Sequence, residues 1–295
     1  MAMLKNPVCL LLFSAAFFLA SCSSAPKRPA EIFTLQSMIE TQLGQANREA
    51  DQGRYDRALT FLDDAWRLAV LSDRPALRIR VSLSRGNALY SLGRRAEAER
   101  IWKAAGDEAD LAGEKTLAAA SRIYRARSLL VSGQGNPGEI LALVQMEQGT
   151  LKPDRLLAAL GWTVRGLAEK EMGLYTEAEK SVRSALSIHE GDRYLEQAAY
   201  DWYLIASIRS VAGNYEGSLE ALDSALALDR RAENSFGLAM DWTARGDVFR
   251  KMKREEEALQ SWRRSAEILR ALDMEGRARE LENRINPRPG SSSRP

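Results

Sequence analysis

Three observations predict an all-α protein built as a solenoid of six helix-turn-helix repeats. Gly53, Gly93, Gly133, Gly173 and Gly213 lie 40 residues apart without a slip, with Lys253 in the sixth place. Self-similarity at a fixed period of this size marks a stack of identical supersecondary units. Small residues move in step with the glycines: Ala46, Gly86, Ala126, Gly166, Ala206, Gly246 in one column, and Ala58, Ala98, Gly138, Ala178, Ser218, Ala258 in another. A third column runs Ala65, Ala105, Gln145, Ala185, Ala225, Ser265. Composition agrees, since Ala, Leu, Arg and Glu dominate while aromatics make up only 7% of the 295 residues, a balance that favours helix over strand.

Each element then has a physical reason. The turn glycine can adopt a positive φ and reverse the chain. Small residues let the two helices of a pair approach closely, and apolar residues at helical spacing seal each pair against its neighbours. Copy three departs from this. Gly133–Gly138 (GQGNPG) is a run of helix breakers and Lys152-Pro153-Asp154 follows, which predicts a short second helix over Glu139–Gln148. That break reads equally as a hinge between copies 1–3 and 4–6 or as a rigid longer loop. Met274–Ile285 reads as a capping helix with a polar outer face, and residues 279–295 hold its end and a disordered tail, Asn286–Pro295.

The copies beginning GRYDRALTFLDDAW at Gly53, GLYTEAEKSVRSAL at Gly173 and GNYEGSLEALDSAL at Gly213 resemble the tetratricopeptide repeat (TPR). That family has a small residue in the middle of helix A, a Gly-x-Tyr turn, and alanines along helix B. The resemblance covers residues 39–278 and implies twelve helices in a right-handed superhelix. The usual period is about 34 residues, so this is a lengthened variant. Copy two replaces the tyrosine with Arg95, and copy six has Lys253-Arg254-Glu255.

The N-terminus reads as an address. Lys5 precedes an apolar run, Pro7–Leu19, too short for the roughly 20 residues that a spanning helix needs, so it reads as a signal peptide. Leu19-Ala20-Ser21-Cys22 resembles the bacterial lipobox. The resemblance implies that residues 1–21 are removed, that Cys22 is acylated, and that 22–38 form a lipidated N-terminus and linker. Ser23 in place of the aspartate of inner-membrane retention implies an outer-membrane destination with the body facing the periplasm. Cys9 would leave with the signal, so no thiol or disulfide remains.

Chemistry is sought and not found. Lys+Arg 42 against Asp+Glu 40 gives a net charge of +2, which offers no basic face for nucleic acid. The one histidine, His189, cannot supply a zincin motif, and neither a GxSxG elbow nor a phosphate loop is present. The reading is of a non-enzymatic protein without metal or cofactor. His189 is assigned to a helix C-terminus, where a cation is favoured, and the six tryptophans fall on repeat columns and are assigned to the core.

What remains is the concave groove. By position, the TPR resemblance places Leu43 and Asn47 there from copy one, Arg80, Leu83, Asn87 and Tyr90 from copy two, and Ile123, Arg127 and Leu130 from copy three. It adds Thr163, Tyr200, Tyr203, Ser207 and Ser210 from copies four and five, and Thr243, Asp247, Arg250 and Lys251 from copy six. The carboxylate clamp of the chaperone-adaptor branch is missing, because its basic places hold Leu43, Ala120 and Tyr124. The resemblance implies an outer-membrane scaffold or adaptor that docks envelope proteins of a secretion or pilus, outer-membrane biogenesis or peptidoglycan machinery. The alternative is a periplasmic protein that binds a small ligand or glycan in a compact pocket near Tyr200 and Tyr203.

Overall fold

The computed structural model describes residues 34–285; the lipobox, Cys22 and the C-terminal tail lie outside the described residues. Within that range there are thirteen helices and no strand. Six antiparallel pairs follow one another: α1 (Thr34–Asp51) with α2 (Tyr55–Leu71), α3 (Pro75–Ser91) with α4 (Arg95–Ala112), and α5 (Lys115–Val131) with α6 (Pro137–Leu151). Next come α7 (Arg155–Glu171) with α8 (Tyr175–Gly191), α9 (Leu195–Val211) with α10 (Tyr215–Ala232), and α11 (Ser235–Lys251) with α12 (Glu255–Ala271). The short α13 (Glu275–Ile285) closes the stack on α12 through Ala278 and Leu281, both buried.

The turn inside each pair is built as the glycine column requires. Gly53, Gly93, Gly133, Gly173 and Gly213 have φ between +68° and +83°, and Lys253 takes φ +62° in the sixth place. Each turn closes with the Schellman hydrogen bond, as Arg54 N donates to Glu49 O at 2.9 Å. A second left-handed column lies between the pairs, at Asp73, Gly113, Arg193, Glu233 and Asp273. Pro153 occupies that place in copy three, where its ring holds φ negative.

The small column sets how closely helices pack. A Cβ on Gly86 would stand 2.2 Å from Nε1 of Trp102, and one on Gly246 would stand 2.4 Å from Cδ1 of Trp262. Each indole N–H donates to a backbone carbonyl of the helix it packs on, Leu83 and Thr243 respectively, both at 3.2 Å. Where the column holds Ala46 or Ala206, the partner in the same place is Leu62 or Leu222, both buried.

This corrects the assignment of all six tryptophans to the core. Trp102 and Trp262 are wholly buried because each faces a glycine. Trp66 is 38% exposed, and Trp162, Trp202 and Trp242 are half-buried beneath the guanidiniums of Arg165, Arg183 and Arg245, 5.3 to 5.9 Å away.

Copy three also differs from expectation. Its second helix spans Pro137–Leu151 rather than Glu139–Gln148, because the breakers form its cap. The Asn136 side chain accepts from the N–H groups of Gly138 and Glu139, and Pro137 occupies the first turn where it needs no donor. Gly133, Gln134 and Gly135 all fold back onto the end of α5, so α6 starts two residues later than the period demands. Its buried positions shift with it to Ile140, Val144, Glu147 and Leu151, and Gln145 is exposed.

Candidate functional site

The first and last copies of the solenoid meet, with α1 against α11. Tyr55 packs edge-on against Phe236, with ring centroids 6.1 Å apart. Gly53 lies against both Phe236 and Met274. The groove is therefore closed into an interior space, walled mainly by the first helix of each pair.

Of the sequence-predicted groove residues, several come together there. Asn47 and Asn87 line one cleft of about 130 Å³ beside Tyr55. Tyr200 and Tyr203 stack, with centroids 6.1 Å apart and planes inclined by 15°. Tyr200 keeps 45% of its surface open to the interior but is surrounded by protein at longer range. Desolvation holds its pKa high, offset by the charge of Arg127 across the space, with Tyr90 also nearby. Tyr203 is pushed up to about 12 by burial, with Tyr200, Asp241 and Asp247 adding to the effect. Ser207 and Asp247 line a cleft of about 150 Å³ with Lys251, whose Nζ donates to Ser210 Oγ at 2.9 Å. Asp247 also accepts from Arg284 and from Trp262 Nε1, both at 3.2 Å.

Other predicted positions lie elsewhere. Arg80 pairs with Asp154 at 3.1 Å in a wide cleft between copies one to four, and Arg250 lies 4.9 Å over the Trp262 ring. Leu83, Ile123, Leu130 and Thr163 are buried between helices rather than presented to the groove. Thr163 spends its hydroxyl on Ala159 O at 3.1 Å. The resemblance marks a whole helix face, and these four side chains lie on the part of it that packs against neighbouring helices.

His189 is also not simply a helix-end cation. It lies in the last turn of α8, but its ring is buried and its Nδ1 sits 2.6 Å from Oδ2 of the fully buried Asp201. Burial raises the Asp201 pKa, and the bond to His189 opposes that rise.

Sequence reasoning missed a group of acids beside the tyrosines. A cavity of about 310 Å³ is lined by Tyr55, Tyr200, Tyr203, Phe236 and Met240, and by Glu196, Asp229, Asn234 and Asp241. Asp51 at the end of α1 hydrogen-bonds Glu196, and desolvation with the charge of Glu196 raises it to about 7. Desolvation also raises Glu196. Asp241 is 1% exposed and hydrogen-bonded to Asp229; burial, with that neighbour's charge, raises it to about 9. Asp229 is raised to about 6, again by burial, against a hydrogen bond from Asn234 Nδ2 at 2.8 Å. Gly237 is required here, since a Cβ would stand 2.1 Å from Asp229 Oδ2. A signal for this pair was in the period: Asp229 and Asp241 stand one repeat after His189 and Asp201.

No family model matches the chain, and no curated protein matches it. Solved structures do. A Rap protein complexed with Competence and Sporulation Factor superposes with a TM-score of 0.57 at 14% identity, covering 85% of this chain and 76% of that one. The fold is the TPR solenoid. PilW, a widely conserved type IV pilus biogenesis factor, is a more distant likeness, with TM-score 0.47 and 13% identity over 79% of this chain and 92% of its own. A signal-transduction ATPase with numerous domains from Pyrococcus horikoshii, which has a tetratricopeptide repeat sensor, matches with TM-score 0.47 and 13% identity, covering 86% of this chain and 42% of that chain. Among the described residues, no helix of this TPR solenoid is long and apolar enough to cross a membrane.

Proposed function

We propose that this chain is a lipid-anchored scaffold of the bacterial outer membrane, facing the periplasm, whose closed superhelix receives a segment of a partner envelope protein. The observation that carries the interaction role is the stacked pair of Tyr200 and Tyr203 lining one cavity, with Arg127 and Tyr90 of two other copies within electrostatic reach of Tyr200. Tyrosine offers area with a hydroxyl, and arginine can take a carboxylate in a forked pair. The Rap protein complexed with Competence and Sporulation Factor supports the reading that a solenoid of this fold accommodates another molecule. Support for the address is the lipobox Leu19-Ala20-Ser21-Cys22 alone. Two acyl chains, at roughly 0.8 kcal/mol per buried methylene, would hold the body at the bilayer.

The test is crosslinking in cells followed by mass spectrometry, with Arg127→Glu/Tyr203→Ala as control. Capture of one envelope assembly, lost in the double variant, supports the scaffold and its groove; capture that survives moves the contact to another face. An unacylated protein recovered from the cytosol overturns the address. A second reading, a small-ligand or glycan site, is favoured by the compact cavity against Tyr200 and Tyr203.

A further inference from the structure

We propose that the rim of copies one and two, led by Leu71 and Leu111, dips into the phospholipid surface to which Cys22 is tethered, and so fixes which edge of the solenoid faces the bilayer. This inference rests on the lipid-anchor reading above. It starts from an uneven distribution of exposed apolar side chains. Among the described residues, copies one and two expose five large ones: Met38, Trp66, Val70, Leu71 and Leu111. All five lie in the halves of α1, α2 and α4 nearest the turns between pairs, and none lies toward the turns inside pairs.

That edge is also where the described chain begins. Arg74, in the turn after α2, donates from Nη1 to Oε1 of Gln36 in the first turn of α1, at 2.9 Å. Gln36 and Arg74 line one wide cleft with Glu114, Asp154 and Asp192 of the following turns, so the start of α1 and the turns between pairs form one rim. Trp66 and Val70 are four residues apart and share a face of α2. Ile39, Ala65 and Ala69, the chain neighbours of Met38, Trp66 and Val70, pack in one buried cluster. The exposed residues of α1 and α2 therefore belong to one end of the pair.

The period sharpens the point. Leu71 and Leu111 stand one repeat apart and are 70% and 91% exposed, so almost nothing of this protein covers them. Leu151 is buried in the third copy, and Gly191, Arg231 and Ala271 follow. Outward leucines at this place are confined to the two copies nearest the tether. Single exposed apolar residues are ordinary, whereas a grouped set marks a contact surface.

Tether length decides the occupant. Cys22 stands 12 residues before Thr34, a span of at most about 40 Å when fully extended. A bilayer holding the acyl chains is thus always within reach of this rim, and a second contact made on a tether needs little affinity of its own. Leucine and tryptophan at a protruding edge suit the boundary of headgroups and acyl chains. Charge is not the attraction, because Asp73 adjoins Arg74 and Glu114 adjoins Lys115. In this orientation the opposite edge, with its exposed Val131, Met172 and Val211, points away from the membrane.

The test uses the acylated full-length protein in vesicles of phosphatidylethanolamine and phosphatidylglycerol that contain a doxyl-labelled quencher. Leu71→Cys, Leu111→Cys and Val131→Cys each carry a nitrobenzoxadiazole label; Val131 is the apolar, exposed control on the other edge. Emission at positions 71 and 111 should shift to the blue, with quenching roughly threefold deeper than at 131, since such contacts enter only about 5–10 Å. A label placed through Met38→Cys reports on the rim without touching the leucines. In the Leu71→Asp/Leu111→Asp background its quenching should fall to the level at 131, with circular dichroism unchanged.

Equal quenching at 111 and 131, water-like emission at 71 and 111, or a Met38 label indifferent to the double substitution overturns the proposal. Labels that become dry only when envelope proteins are added overturn it in favour of a protein partner. Mass spectrometry of the N-terminal peptide, read first, separates the two readings. Acylated protein with wet leucines removes the rim contact and leaves the anchor standing. If the chain proves unacylated, the anchor reading fails and the rim is judged by sedimentation with excess vesicles. Binding that Leu71→Asp/Leu111→Asp abolishes keeps the rim, and no binding overturns it.

Discussion

Tyr55, the first residue of α2, meets Phe236 in the first turn of α11 edge-on, with ring planes 85° apart. The two residues belong to the first and last copies, so this contact makes an open groove into a closed interior. Repeat proteins gain stability mainly from neighbouring units, and a contact between the first and last copies is an addition to that scheme. Such an aromatic pair is worth about 0.5–1.5 kcal/mol beyond the area it buries, small against the whole stack but acting on its shape.

Phe236→Ala should therefore open the ring more than it unfolds the chain. With spin labels at the exposed positions Arg48 and Arg231, the distance distribution should lengthen and broaden. An unchanged distribution in the variant would mean that curvature is fixed by successive pair packing alone, and that the contact is incidental.

The acids at the closure make stability depend on pH. A carboxyl raised in the folded state holds its proton more tightly there than in the unfolded chain. Its contribution is complete below the ordinary carboxylate range and is lost as pH rises through the folded value. Asp51 at about 7 and Asp241 at about 9 set that window from just above pH 4 to beyond 9. The ligand-free melting temperature should fall steadily from pH 5 to pH 9. Asp241→Asn, which cannot ionise, should flatten the alkaline part of the curve. A melting temperature that rises over this range would show that the carboxyls are not held protonated.

Gly86 and Trp102 form a lock within one pair. Gly86→Ala pushes a methyl into the indole, and overpacking of this kind costs about 1–3 kcal/mol. Trp102→Leu alone should also destabilise, by leaving a cavity and removing the indole hydrogen bond to Leu83 O. The double variant recreates the Ala46–Leu62 combination of copy one, so its loss should be smaller than the sum of the singles. Urea titration of the four proteins measures this coupling. Simple additivity would mean that the glycine serves another purpose.

Much of this architecture was legible because its physics is local and recurs. The in-pair turn column, the small column and the pair order all stand in the sequence. The column between pairs was not legible, because only Gly113 of its five left-handed residues is a glycine, and Asp73, Arg193, Glu233 and Asp273 carry no such mark. The two-residue shift of α6 was hidden by the unbroken period, since the longer turn before it is offset by a shorter helix. Closure was illegible because curvature accumulates over many small rotations, and Tyr55 and Phe236 share no pattern. Of the site, Tyr200, Tyr203 and Arg127 were found by helix position. The acids were found only by structure, although the 40-residue step from His189 and Asp201 to Asp229 and Asp241 was there to be read.

The turn columns provide a test of backbone strain free of packing. A Cβ on Gly93 would meet nothing within 4 Å, yet its φ is +80°, so Gly93→Ala isolates the cost of a left-handed non-glycine residue, about 1–2 kcal/mol. Lys253 already bears that cost at φ +62°, at an exposed position. Lys253→Gly should recover about 1 kcal/mol, less the extra entropy that glycine loses on folding. Denaturation midpoints should shift in opposite directions for the two variants. If Lys253→Gly also destabilises, the lysine side chain makes up the strain through contacts of its own. The glycine column would then be interrupted in copy six for a reason other than tolerance.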